Sequence, residues 1–289
     1  MGDTTRTMWR PLKRVETVSM KEARLHVHYG VQWLARVARA YIAAREDDHH
    51  TNLGWDDDLN GFTTHELPDG SQLCLRLVPL TLVFLHDGTE QQSLSLDARN
   101  EAAIRHWLNQ AVNAKSLDSR MLDRPLPYDL PEHVVAAGGS YQTSALTGEL
   151  GELASWFSNG VLALERARQY VTGKALKAPD VRCWPHHLDL DSLVSFGGGR
   201  TSGLGFEPGD DYYDEPYFYV SLYPAPPATA LPPLPAIGSW HTHHFTAAIA
   251  TASKILSAED QQVGIDSFLC AAIDAVIKLH STSDVSVQS

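Results

Sequence analysis

The sequence predicts an α+β protein made of two similar helix–strands–helix halves, with antiparallel strands in a central layer and helices packed outside it. Three observations predict this. Apolar residues recur at helical spacing in four long stretches, runs rich in β-branched and aromatic residues lie between those stretches, and the second half repeats the element order of the first.

Ser19 and Glu22 have capping-box spacing, and Val27, Val31, Leu34, Ala38 and Tyr41 follow with helical period, so a helix is expected over residues 20–46. "LGWDDDLNGFTTHEL" and "SQLCLRLVPLTLVFLHDG", separated by the turn "PDG", predict two or three strands. A second helix is expected after Asp97 as its cap, with Ile104, Leu108 and Val112 inward. Residues 117–145 hold Pro125, Pro127, Pro131, Gly138 and Gly139 without periodicity, as a connection would. This places the division at residue 130: residues 1–130 form one half and 131–289 the other, a single compact domain being the alternative.

A long amphipathic helix is predicted from Leu146 through Leu150, Leu153, Phe157, Val161 and Leu164 to about Gly173. In "PYFYVSLYP", Phe218, Val220 and Leu222 alternate with Tyr217, Tyr219 and Tyr223, the pattern of a strand with two different faces. "PAPPATALPPLPAIG" carries six prolines and predicts an extended surface loop. A helix over about residues 244–256, and another beginning near Asp260 with Ile265, Phe268, Ala272, Val276 and Leu279 inward, complete the chain. "GVQWLARV" from Gly30 aligns with "GVLALERA" from Gly160, and Trp55 with Trp184, at an offset of about 130, which suggests an internal duplication. The alternative is that two units share a helix pattern by chance.

The chain has 289 residues, with 23 basic against 35 acidic side chains and a formal charge of -12, a balance that repels a phosphate backbone and argues against nucleic acid as a partner. No apolar run reaches the ~18 residues of a membrane span, and the N-terminal stretch has no hydrophobic signal core, so a soluble cytoplasmic protein is expected. Cys74, Cys183 and Cys270 lie far apart and outside any CxxC pair, which suggests neither a disulfide framework nor a thiolate zinc site.

Candidate chemistry falls in "WPHHLDLD", "EPGDDYYDEPYFY" and "WHTHHF". Read as a strand, the first puts His187, Asp189 and Asp191 on one face, with Trp184, His186 and Leu188 on the other. By the same rule His241 and His243 share a face, Trp240 points away, and His244 opens the following helix. Imidazole and carboxylate together suit zinc, iron, manganese or nickel. The resulting hypothesis is that His187, His241 and His243, with Asp189 or Glu215, bind a divalent metal or act as acid and base, while His186, Glu215, Tyr217, Tyr219, Trp184 and Trp240 line a pocket for a small molecule. A metal-free polar pocket and a purely structural hydrogen-bond network stand beside it. "SFGGGRTSGLGFEPG" has neither GxGxxG nor GxxxxGK[ST] and reads as a turn between strands, and no GxSxG elbow is present.

"WPHHLDL", "GDDYYDEPYFYVSLYP" and "GSWHTHHFTAAI" resemble the strings of a bacterial family of uncharacterised proteins, a domain of unknown function with a Trp-Pro-His-His-x-Asp string, a Glu-Pro-Tyr-Phe-Tyr-Val strand and a Trp-His-Thr string. The resemblance covers the second half; Leu188 stands where that family commonly has Phe. It marks the same residues and implies no activity. Two functions are carried forward: an enzyme acting on a small polar or aromatic molecule, with or without a metal, and a small-molecule-binding protein that uses the same pocket without catalysis.

Overall fold

Helix α1 (Thr17–Tyr41) is capped by Glu16, whose carboxylate accepts from the Ser19 amide at 2.9 Å, so it starts three residues before the expected cap. It buries Ala23, Val27, Val31, Leu34 and Ala38. Strands β1 (Gly54–Asp56), β2 (Gly61–Thr63), β3 (Ser71–Arg76), β4 (Thr81–His86) and β5 (Thr89–Ser95) form an antiparallel meander in chain order. Five strands stand where two or three were expected, because β1 and β2 span three residues each and are too short to show a period. Helix α2 (Glu101–Ala114) is capped by Asn100; Asp97, the expected cap, instead accepts from the amides of Thr143 and Ser144.

This computed structural model describes residues 8–14 and 16–285. Compactness separates them into two units, neither of them a contiguous half. The first comprises 16–154 with Arg182–Leu188, and the second 8–14, Ser155–Val181 and the described residues from Asp189 onward. The single cut at residue 130 is thus replaced by a boundary inside helix α3 (Thr147–Gly173) and an exchange of strand β6 (Arg182–Trp184), which an antiparallel bridge between Leu53 and Cys183 ties into the first unit.

The second unit has its own sheet, with β7 (Asp189–Gly197), β8 (Arg200–Glu207), β9 (Tyr217–Ser221), β10 (Ser239–His241) and β11 (Ala247–Thr251) in the order β10-β11-β9-β8-β7. The short helix α4 (Ala252–Ile255) and the long α5 (Gln261–Val285) follow, and Asp260 caps α5 by accepting from the Val263 amide. The protein is α+β, but with two sheets rather than one central layer. Of the helix expected over 244–256 only α4 forms, and Ala247–Thr251 is instead β11, which pairs with β9 on one side and β10 on the other. Both ladders satisfy its buried amides, and that tertiary pairing outweighs the helical tendency of an alanine-rich run. The glycines after Phe196 make the β7–β8 turn, with Gly197, Gly198 and Gly199 all at positive φ.

In each unit a bare glycine lets the leading helix lie close to the sheet. A Cβ on Gly30 would stand 2.8 Å from Leu75 Cδ2, and one on Gly160 would stand 3.0 Å from Leu190 Cδ1 and 3.2 Å from the Phe206 ring. No helix among the described residues is long and apolar enough to cross a membrane.

Candidate functional site

The Trp-Pro-His-His string is a strand end followed by a turn. β6 stops at Trp184, whose carbonyl accepts from the amides of His187 and Leu188, and Leu188 has φ 68°. Strand alternation therefore does not govern His186 and His187. The Pro185 carbonyl accepts from His28 Nε2 at 3.0 Å and Gln32 Nε2 at 2.7 Å, which anchors the turn to α1. Gln32 also donates to the His28 carbonyl and accepts from the Tyr128 hydroxyl, so its amide is fully engaged. His187 is exposed; His186 lies against the His187, Tyr128 and Trp184 rings. Burial, reinforced by His187, holds the His186 pKa down at about 4, and burial does the same for His28.

In the second unit the register puts Asp191 opposite Gly205 and Gly205 opposite Tyr219, so these three share a sheet face. Asp189, Glu207, Tyr217 and His241 fall on that same face by strand alternation and register, while Leu190, Phe206, Phe218 and Val220 take the helix-covered side. The glycines of "SGLGF" make room for it: a Cβ on Gly205 would overlap the Tyr219 ring, and one on Gly203 would stand 2.8 Å from Asp191 Oδ1. The Tyr219 hydroxyl donates to Asp189 Oδ2 at 2.7 Å and also lies 3.4 Å from Asp191 Oδ1. Burial first, and then the charge of Asp189, push the Asp191 pKa up to about 8; the Tyr219 hydroxyl is pushed well above the phenol range by burial and the same carboxylates. The Tyr217 hydroxyl donates to Asp210 Oδ2 at 2.8 Å.

The remaining predicted residues are committed to local contacts. His241 Nδ1 lies 2.9 Å from the Tyr213 hydroxyl and Nε2 lies 2.6 Å from the His243 carbonyl, which leaves neither ring nitrogen open for a metal. His243 lies beyond the end of β10, so it does not share a strand face with His241, and His244 sits in a bend at φ 67° instead of opening a helix. Glu215 accepts from the Ser253 amide and hydroxyl, and the Trp240 indole donates to the Pro232 carbonyl.

Sequence reasoning missed two features of the first unit. One is a cavity of about 410 Å³, lined by Tyr29, Trp33, Tyr128 and Tyr141 with Gln32 and Arg36 among its polar groups. Trp33 Nε1 donates to the Tyr141 hydroxyl, and the guanidinium carbons of Arg36 and Arg105 each lie 5.9 Å from the Trp33 ring. The other is a cluster of Glu22, His26 and His133 whose ligand-type atoms all lie within 4.8 Å of one another. Glu22 and His26 are one helical turn apart on α1, a spacing legible in "EARLH"; His133 comes from the irregular connection, where no period announces it. Burial lowers the His26 pKa to about 4.

No protein-family model, curated protein or solved structure matches the chain.

Proposed function

We propose that the protein binds a small planar molecule carrying an anionic group in the aromatic cavity of the first unit. The observation that carries this is the composition of the cavity: its volume falls within the ~300–1,000 Å³ of small-molecule sites, four aromatic rings line it, and one cation, Arg36, stands among them. Arg36 is half-buried, and its guanidinium makes only a long 3.4 Å hydrogen bond to the Arg124 carbonyl. Of the two carboxylates in the lining, Glu101 is held by Arg105 at 2.7 Å and Asp129 is exposed to solvent. An aromatic carboxylate would set its ring among the tyrosines and Trp33 and its charge on Arg36. Ligand-observed NMR with benzoate and its hydroxylated derivatives tests this. Saturable binding weakened about 10-fold by Arg36→Gln supports it; binding indifferent to Arg36→Gln, or none below millimolar concentration, counts against it.

The enzymatic alternative finds support in the second unit, where Asp189 and Asp191 share one tyrosine hydroxyl and Asp191 keeps its proton toward neutral pH. A protonated and an ionised carboxyl side by side are the equipment of acid–base chemistry. In this scheme Asp189 and Asp191 exchange the proton and Tyr219 orients them. The matching Gly30 and Gly160 contacts support descent of the two units from one duplicated ancestor, and the formal charge of -12 argues against nucleic acid as a partner.

A further inference from the structure

The geometry points to a divalent transition-metal site formed by Glu22, His26 and His133, at a place distinct from the histidines that the sequence singles out. Three independent features lead there. The first is spacing: Glu22 Oε1 lies 3.3 Å from His26 Nε2 and 3.1 Å from His133 Nε2. Ligand atoms about 2.0–2.2 Å from one tetrahedral ion are separated by about 3.3 Å, which matches both carboxylate–imidazole distances, and all three ligand atoms lie within 4.8 Å of one another.

The second is an orphaned group. The His26 side chain is fully buried, and neither of its ring nitrogens makes a hydrogen bond. A buried imidazole whose nitrogens have no hydrogen bond, only a 3.3 Å approach to a carboxylate, is unusual, and coordination supplies the missing interaction. His26 is aimed at the Glu22 carboxylate and meets the His133 ring edge-on, with centroids 4.7 Å apart.

The third is the way the surroundings hold and open the cluster. Tyr29 stacks on His133 at 5.4 Å and Tyr141 lies against His26 at 5.5 Å, which fixes both rings. His133 Nε2 faces Glu22 at 3.1 Å, and the long 3.5 Å contact from the Val135 amide to Nδ1 is one that a metal-bound ring, protonated on Nδ1, gives up. The Glu22 side chain is 44% exposed, so an ion can enter from solvent along the carboxylate. Two imidazoles and one carboxylate select a first-row ion such as zinc or iron over magnesium or calcium, and three protein ligands leave room for water or a substrate oxygen. Tyr29 and Tyr141 also line the cavity, so the site adjoins it, but metal binding does not depend on the cavity having a ligand.

The test uses the full chain, stripped with chelator and titrated with Zn2+ by calorimetry and with Co2+ by visible absorption. The expected result is one equivalent bound, with the intense bands of four-coordinate cobalt rather than the weak bands of the hydrated ion. His133→Gln and His26→Gln should each weaken binding about 100-fold and Glu22→Gln about 10-fold, while His241→Ala leaves it unchanged. His133 comes from the irregular connection, so its variant remains decisive if His26→Gln fails to fold. No saturable binding below about 100 μM, or binding undiminished in His133→Gln, would overturn the assignment. Benzoate binding to the apo protein is read separately, so loss of one proposal leaves the other standing.

Discussion

The two sheets are alike on one face and opposite on the other. On the helix-covered faces each unit brings a bare glycine down onto bulky apolar side chains, Gly30 on Leu75 and Gly160 on Leu190 and Phe206. On the other face the first unit puts Cys74, Val83 and Leu85 with Leu59, whereas the second puts Asp189, Asp191, Glu207 and Tyr219. The helix-facing layer carries the packing common to both. The opposite layer is where carboxylates whose burial is costly have been placed, with the Tyr219 hydroxyl as a donor to Asp189.

The largest expected effect breaks the second face sterically. Gly205→Ala sets a methyl group into the Tyr219 ring and should cost more than about 3 kcal/mol in chemical denaturation. Gly30→Ala meets only the end of a flexible leucine, and its gain in helix propensity offsets the contact, so a change within about 1 kcal/mol is expected. Equal costs at the two positions would erase the distinction.

Next comes a contrast in pH response. Burial and the Asp189 charge raise the Asp191 pKa well above that of an unfolded carboxyl, so the second unit loses stability as pH rises from about 4 toward the folded pKa. His28 and His186 run the other way. Unfolded, they protonate near 6.5, and folded only at about 4, so the first unit loses stability as pH falls between those values. Hydrogen exchange followed unit by unit across pH 4–8 should show the two trends crossing, and Asp191→Asn should flatten only the alkaline one.

Tyr219→Phe sharpens the comparison more gently. It removes the 2.7 Å hydrogen bond to Asp189 Oδ2 and should cost about 1–2 kcal/mol by denaturation, with no counterpart on the apolar face of the first unit. Smallest is Glu215→Gln, which weakens the contacts to Ser253 at the exposed start of α4; about 0.5 kcal/mol is expected, and a loss above 2 kcal/mol would show that the loop before β9 shapes the acidic face.

Much of the fold was legible wherever the apolar period ran long enough. The α+β class, the helices α1, α2, α3 and α5, the inward positions Ile104, Phe157 and Phe268, and the two-faced strand at Phe218 and Tyr219 all follow from spacing. Short elements escaped, as β1 and β2 did, and so did β11, whose alanines suit either state until neighbouring strands claim them. Of the candidate site, Asp189, Tyr217, Tyr219 and His241 do share a sheet face. The Trp-Pro-His-His string became a structural turn because Gln32 and His28 hold its Pro185 carbonyl.

By itself, then, the sequence determined which long segments are helix or strand and which side of each is apolar, since hydrophobic period is a local property of the chain. Only the tertiary structure decided which polar groups meet. Glu22 and His26 are neighbours through helix geometry, but His133, more than a hundred residues away, reaches them only because the chain folds back, and no local pattern encodes a contact whose energy comes from distant burial.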